Sequence, residues 1–239
     1  MKSIAPLGSN GVMVNPCAAV RNKPPGRAYG GLSPEDRVAA RRARLVQAGA
    51  ALFGTQGLRA TTVRSVCTEA GLTDRYFYES FASLEALLAA VYVDMMAGLR
   101  QRLLALPPWP AQPRGADVDW PAAERRCSAG YQAWFDAVSD PRFARVVLAE
   151  VLGVNADIDA LYEAHTQDFA AHTAAPLARL RLSAERRTLI GHALVGAAVQ
   201  VARHWVASGY AAPRWAVVRT CVLVAMGTLR ELAGERDED

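Results

Sequence analysis

The chain has 239 residues, 51% of them hydrophobic, and a formal net charge of +4. That length can bury one or two sizeable cores, and no charge-free apolar run of about eighteen residues suggests a membrane span. Its four cysteines, Cys17, Cys67, Cys127 and Cys221, are far apart and form no CxxC pair, which argues against a disulfide framework or structural zinc.

Residues 1–32 are rich in Gly and Pro and lack periodicity, which predicts a disordered arm, made basic by Arg21, Lys23 and Arg27. They hold no cationic start followed by an apolar block and cleavage site, so no secretory signal is expected and the cytoplasm is the expected location. Ser33-Pro34-Glu35-Asp36 then supplies an N-cap, a first-turn proline and first-turn acids, predicting a helix to about Thr55 with Val38, Leu45, Ala48, Leu52 and Phe53 on one side. From Arg21 to Arg64 nine basic residues stand against two acidic ones, so the basic excess is concentrated at this end.

The stretch from Thr61 to Phe81 reads as two short helices joined by a tight turn. Val63, Val66 and Cys67 recur at helical spacing after a threonine cap, Thr61 or Thr62. Gly71 stands where a left-handed turn is expected, and Thr73 is placed to cap a second helix that buries Phe77 and Phe81. The outward face of that helix carries contact-capable side chains, the pattern of a helix-turn-helix whose second helix enters the major groove of DNA. Arg75 can fork onto guanine O6 and N7, with Thr73, Asp74 and Tyr76 beside it. Thr61, Thr62 and Arg64 at the start of the preceding helix, and Arg44 on the first helix, are expected phosphate partners.

Ser83 caps a long fourth helix with Leu84, Leu87, Leu88, Val91, Tyr92, Met95, Leu99, Leu103 and Leu106 at spacings of three and four, stopped by Pro107-Pro108-Trp109-Pro110. A loop to Pro121 precedes helices expected near 122–139, 142–154, 157–180, 184–208 and 213–233, so the fold class is all-α. The middle helices bring Tyr131, Trp134, Phe135, Tyr162 and Phe169 together with His165. Such a group suits either an apolar ligand cavity or an ordinary core. The helix from Ser183 has a small-residue surface of Gly191, Ala193, Gly196, Ala197, Ala198 and Ala202, on which another helix can lie close. The last residues, 235–239, continue an acidic tail.

From Arg44 to Leu88 the chain resembles the DNA-binding domain of the TetR family of transcriptional regulators. The likeness is carried by Ala48 to Phe53, Gly57, Thr61-Thr62-Val63, Ala70-Gly71-Leu72-Thr73, Tyr78, Phe81, Ser83 and Glu85-Ala86-Leu87-Leu88. Three departures stand out: Val66-Cys67 replaces the family's usual Ile-Ala, the bulky Arg75-Tyr76 replaces a small pair, and Leu84 replaces a phosphate-contacting lysine. The resemblance implies a DNA-binding domain over 33–98, with its helix-turn-helix at about 61–80, and a ligand-binding and dimerisation domain over 99–234. It also implies a homodimer on a palindromic double-stranded operator, phosphate contact by Tyr78, a small, mostly apolar effector around the aromatic group, and a dimer interface built from the last two helices. The alternative for the small-residue surface is packing within the chain.

An enzyme is not expected. Glu-x-x-His and His-Glu-x-x-His are absent, as are a GxSxG elbow and a phosphate-binding glycine loop, so the sequence implies no metal and no cofactor. The competing reading is a non-enzymatic ligand-binding or interaction module that keeps the helix-turn-helix as scaffold; an all-α metalloenzyme ranks below both.

Overall fold

The computed structural model describes residues 33–110, 118–180 and 182–234, all of whose regular structure is helical. The basic arm at 1–32, Cys17 and the acidic tail at 235–239 lie outside the described residues. Helix α1, Pro34–Thr55, starts in a reciprocal cap: Asp36 N–H donates to Ser33 Oγ at 3.0 Å and Ser33 N–H donates to Asp36 Oδ2 at 3.2 Å. Its buried stripe begins only at Leu45. Val38, expected on that stripe, is exposed, because the first two turns extend beyond the helices that pack on the rest of α1.

Helices α2, Val63–Ala70, and α3, Asp74–Ser80, cross α1 next to the start of α4, Leu84–Leu104. Gly49 of α1 permits that packing: a Cβ there would stand 3.0 Å from Leu87 and 3.1 Å from Val91. The same α4 continues away from this unit, so its first half belongs to the α1–α3 core and its second half to the wall of a cavity described below.

After α5, Trp120–Val138, the segment expected as one helix near 142–154 is instead α6, Pro141–Arg145, continued by a π-helical turn, Val146–Glu150. The extra residue per turn lets Val146, Val147, Leu148 and Val151 all bury while Glu150 faces the α1–α2 loop. Helix α7, Ala156–Ala174, gives way to a 3₁₀ turn, Ala175–Arg179, short of the expected continuous helix to 180. Pro176 has no N–H to continue the α ladder. Helices α8, Ala184–Ala207, and α9, Arg214–Gly234, complete the chain.

Helices α7 and α8 lie very close, since a Cβ on Gly191 would fall 2.4 Å from the Ala170 carbonyl oxygen. Part of the small-residue surface of α8 is therefore used within the chain. The α8–α9 corner is held by Trp205 Nε1–H donating to Ala212 O at 2.7 Å and Tyr210 O–H donating to Val138 O at 3.2 Å. No single described helix is long and apolar enough to cross a membrane.

Candidate nucleic-acid interface and internal cavity

The two short helices are fixed at both ends of their turn. Thr62 caps α2, accepting from Ser65 N–H at 3.1 Å while Ser65 Oγ accepts from Thr62 N–H at 3.0 Å. At the other end Gly71 takes φ +60°, a left-handed conformation that costs it nothing, and Leu72 N–H donates back to Cys67 O at 2.9 Å. Arg44 reaches across from α1, its Nη2 donating to Ala70 O at 2.5 Å and Gly71 O at 3.2 Å. Its guanidinium thus satisfies the carbonyls left open at the end of α2, a structural role beside the phosphate contact expected from sequence.

Phe77 and Phe81 bury beneath α3, which turns Thr73, Asp74, Arg75 and Tyr78 outward. Thr73 stands at the N-cap but makes no side-chain cap, contrary to expectation, so its hydroxyl stays on the outward row. The Arg75 side chain is 84% exposed and donates from Nε to Glu79 Oε1 at 2.9 Å. Tyr76 is half-buried, with the Arg41 guanidinium 4.5 Å above its ring. Thr62 and Arg64 are exposed at the start of α2. Thr61 is corrected: it is 5% exposed, its hydroxyl donates to Gly57 O at 2.7 Å and accepts from Gln56 Nε2 at 3.2 Å, and a buried, satisfied hydroxyl cannot reach a phosphate.

A polar clamp ties the π turn to the loop before α2. Glu150 Oε2 accepts from Leu58 N–H at 2.8 Å and Oε1 accepts from Arg145 Nε at 2.9 Å, while Arg145 Nη1 donates to Thr55 O at 2.6 Å. Gly57, at φ +85°, makes room for it; a Cβ there would sit 2.6 Å from Glu150 Oε1 and 2.7 Å from Arg145 Nη2. In the same turn Val147 and Leu148 line the internal cavity.

That cavity, of about 140 Å³, lies between α4, α5, α7, α8 and α9. Tyr131, Trp134, Tyr162, His165 and Phe169 all line it. Phe135 does not and is corrected: one helical turn beyond Tyr131, it is fully buried with its ring 5.7 Å from Trp205. Tyr92 meets His165 edge-on at 5.1 Å, and His165 Nδ1 lies 2.9 Å from Leu161 O, a carbonyl to which it can only donate. Trp134 Nε1 is buried with no hydrogen-bond partner among the described residues. Burial pushes the Tyr131 phenol above its ordinary range and the Cys127 thiol up to about 12.

One lining residue escaped sequence reasoning altogether. Arg126 donates from Nε to Pro107 O at 2.6 Å and its guanidinium lies 5.3 Å from the Trp109 ring centre. In sequence it is half of an Arg-Arg pair on an amphipathic helix, and no local signal separates it from the exposed Arg125. Burial, then Arg126, then Arg100 hold His172 below the ordinary imidazole range, keeping it neutral near pH 7. Among the described residues the lining contains no Asp or Glu.

A family profile described as "Bacterial regulatory proteins, tetR family" matches residues 45–91. A curated relative, the HTH-type transcriptional repressor KstR2 of Mycolicibacterium smegmatis, is 36% identical over 69 residues, which are 28% of this chain. The match spans about a third of that relative's length, 34%. Solved structures share the fold over much longer spans. The fatty acid degradation regulator FadR of Bacillus halodurans matches with a TM-score of 0.59 at 14% identity, over 84% of this chain and 98% of its own. FadR of Bacillus subtilis, solved in complex with stearoyl-CoA, matches with 0.61 at 12%, over 77% and 97%. A transcriptional regulator from Rhodococcus sp. Rha1 matches with 0.64 at 15%, over 80% and 96%.

Proposed function

We propose that the chain, whose residues 45–91 match the profile of the tetR family of bacterial regulatory proteins, is a member of that family that represses transcription in the cytoplasm by gripping a palindromic operator as a homodimer and lets go when a small ligand fills its cavity. In this reading residues 33–98 form the DNA-binding domain and 99–234 the ligand-binding and dimerisation domain.

The observation that carries the proposal is the outward row of α3, held rigid from behind by Phe77 and Phe81 and aimed by the caps at Thr62 and Gly71. Arg75 and Thr73 are the base-reading candidates, with Asp74 and the half-buried Tyr76 at their flank. Thr62, Arg64 and Tyr78 contact phosphates, with Arg44 near them. Dimerisation is supported by an exposed face on α8 and α9, where Leu189, Trp215, Leu223 and Val224 face outward and Gly196 and Gly227 have open space above them. An apolar face of that kind favours burial against a second copy.

Ligand and operator are coupled through two connections: α4, which packs on α1 and lines the cavity, and the Glu150 clamp at the end of the cavity-lining π turn. A ligand that lowers operator affinity must bind the operator-bound dimer more weakly by the same factor.

The test is fluorescence anisotropy on DNA from upstream of the chain's own gene against random duplex, across a salt series. The proposal expects preference for one palindromic fragment and a steep fall of affinity with salt. Equal, salt-insensitive binding to both would leave the helix-turn-helix as scaffold only.

A further inference from the structure

Among the described residues the cavity wall holds one guanidinium and no carboxylate. Arg126 on α5 has its Nε bonded to Pro107 O and its guanidinium over Trp109, and among the described residues no carboxylate pairs with it. The opposing positive charge nearby, Arg100, is already paired with Asp168, whereas His172 is held neutral by its surroundings. The guanidinium also lies along the bare wall left by Gly130, where a Cβ would come 3.5 Å from Arg126 Nη1. Beyond it the wall is apolar and aromatic, formed by residues such as Tyr131, Trp134 and Phe169.

A half-buried guanidinium keeps its unused N–H groups satisfied by water. A neutral apolar molecule entering beside it strips that water and returns nothing, which opposes binding. An anion returns charge-assisted bonds in the forked geometry that guanidinium favours. We infer that the effector is an anionic amphipath: an apolar body seated among the cavity aromatics, with its carboxylate or phosphate on the Nη groups of Arg126. This deepens the ligand-released repressor reading and rests on it. It also narrows the mostly apolar effector expected from sequence.

The shared chemistry has two sources, a free carboxylic acid and a coenzyme A thioester whose anionic groups are phosphates. A cavity of about 140 Å³ is close to the roughly 150 Å³ that admits a benzene ring, so the probes are phenylbutanoate, phenylbutanoyl-CoA and the neutral phenylbutanol. Binding to the full chain is followed by quenching of tryptophan fluorescence, since Trp109 and Trp134 both line the cavity.

At least one anionic probe should bind about tenfold or more tightly than phenylbutanol. The acid binding better assigns a free carboxylate, and the thioester binding better assigns the coenzyme. Arg126→Gln should bring the anion down to the level of phenylbutanol, and Arg126→Lys should keep part of the preference because it keeps the charge but not the fork. Equal affinity of the wild-type chain for alcohol and anions would overturn the anion assignment and leave the apolar cavity as a ligand site. Absence of binding by all three probes would overturn both the assignment and the ligand-released reading.

Discussion

Arg75 shows how a side chain can be held ready without being committed. Its bond to Glu79 lies in solvent, where such an i, i+4 pair contributes little, so exchanging the carboxylate for a guanine edge costs little. Arg75→Ala is expected to lose roughly 1–3 kcal/mol of operator affinity and to relax preference at one base pair, whereas Tyr78→Phe should weaken all sequences alike. Competition titrations with single-base operator variants separate the two; equal losses on operator and random DNA for Arg75→Ala would remove it from base readout. Thr61 and Thr62 teach the converse lesson. Adjacent and chemically identical, both are expected phosphate partners by sequence, yet the extended backbone at Thr62 turns its hydroxyl to the α2 amides while Thr61 points inward to Gly57 O. Neighbouring residues outside a helix face opposite ways, and nothing in the two letters says which is in.

At the scale of elements the informative departure is the π turn after α6. Helical periodicity cannot announce an inserted residue, because Val146, Val147, Leu148 and Val151 fit an ordinary buried helix equally well. The insertion matters because it carries Glu150 to Leu58 N–H, 92 positions away in sequence, and so joins the cavity wall to the loop that sets α2. Glu150→Ala leaves that amide and Arg145 Nε without their partner, while Arg145 Nη1 keeps Thr55 O, and should lower stability by about 1–3 kcal/mol. If the clamp also positions the reading helices, operator affinity should fall several-fold at a temperature where the variant remains folded, although Glu150 is not on the outward row. Urea unfolding and anisotropy measured side by side decide it. Lower stability with unchanged operator affinity would make the clamp purely structural.

For the whole molecule, the small residues of α8 serve two neighbours. Gly191 meets α7 of the same chain, while Gly196 and the exposed face of α9 remain uncovered. Leu223 is 71% exposed and Trp215 69%, more apolar surface than a helix in solvent has reason to carry. Leu223→Asp should leave the stability of the single chain within about 0.5 kcal/mol, because an exposed side chain loses no packing there. If this face joins the proposed homodimer, it should nevertheless convert dimer to monomer in sedimentation and weaken operator binding by more than tenfold, since two linked half-site contacts would become independent. Sedimentation unchanged from wild type would place the dimer face elsewhere.

Taken alone, the sequence determined the helical class, the ends of α1, α2 and α4, and the outward and inward faces of α3. Each of these depends on interactions within a few residues: a serine or threonine oxygen on a nearby amide, a glycine at a left-handed turn, aromatics one turn apart. It also put all six aromatic-group residues on α5 and α7, of which five line the cavity, since a long apolar stripe must face something. Tertiary structure alone decided which side of α5 is cavity, and with it that Phe135 packs on Trp205 while Arg126 enters the wall. It alone also bound Glu150 to Leu58, and divided the small residues of α8 between α7 and open space. Those outcomes depend on helices far apart in the chain arriving at one place, and the energy that selects them, the burial of one surface against another, has no counterpart in local spacing.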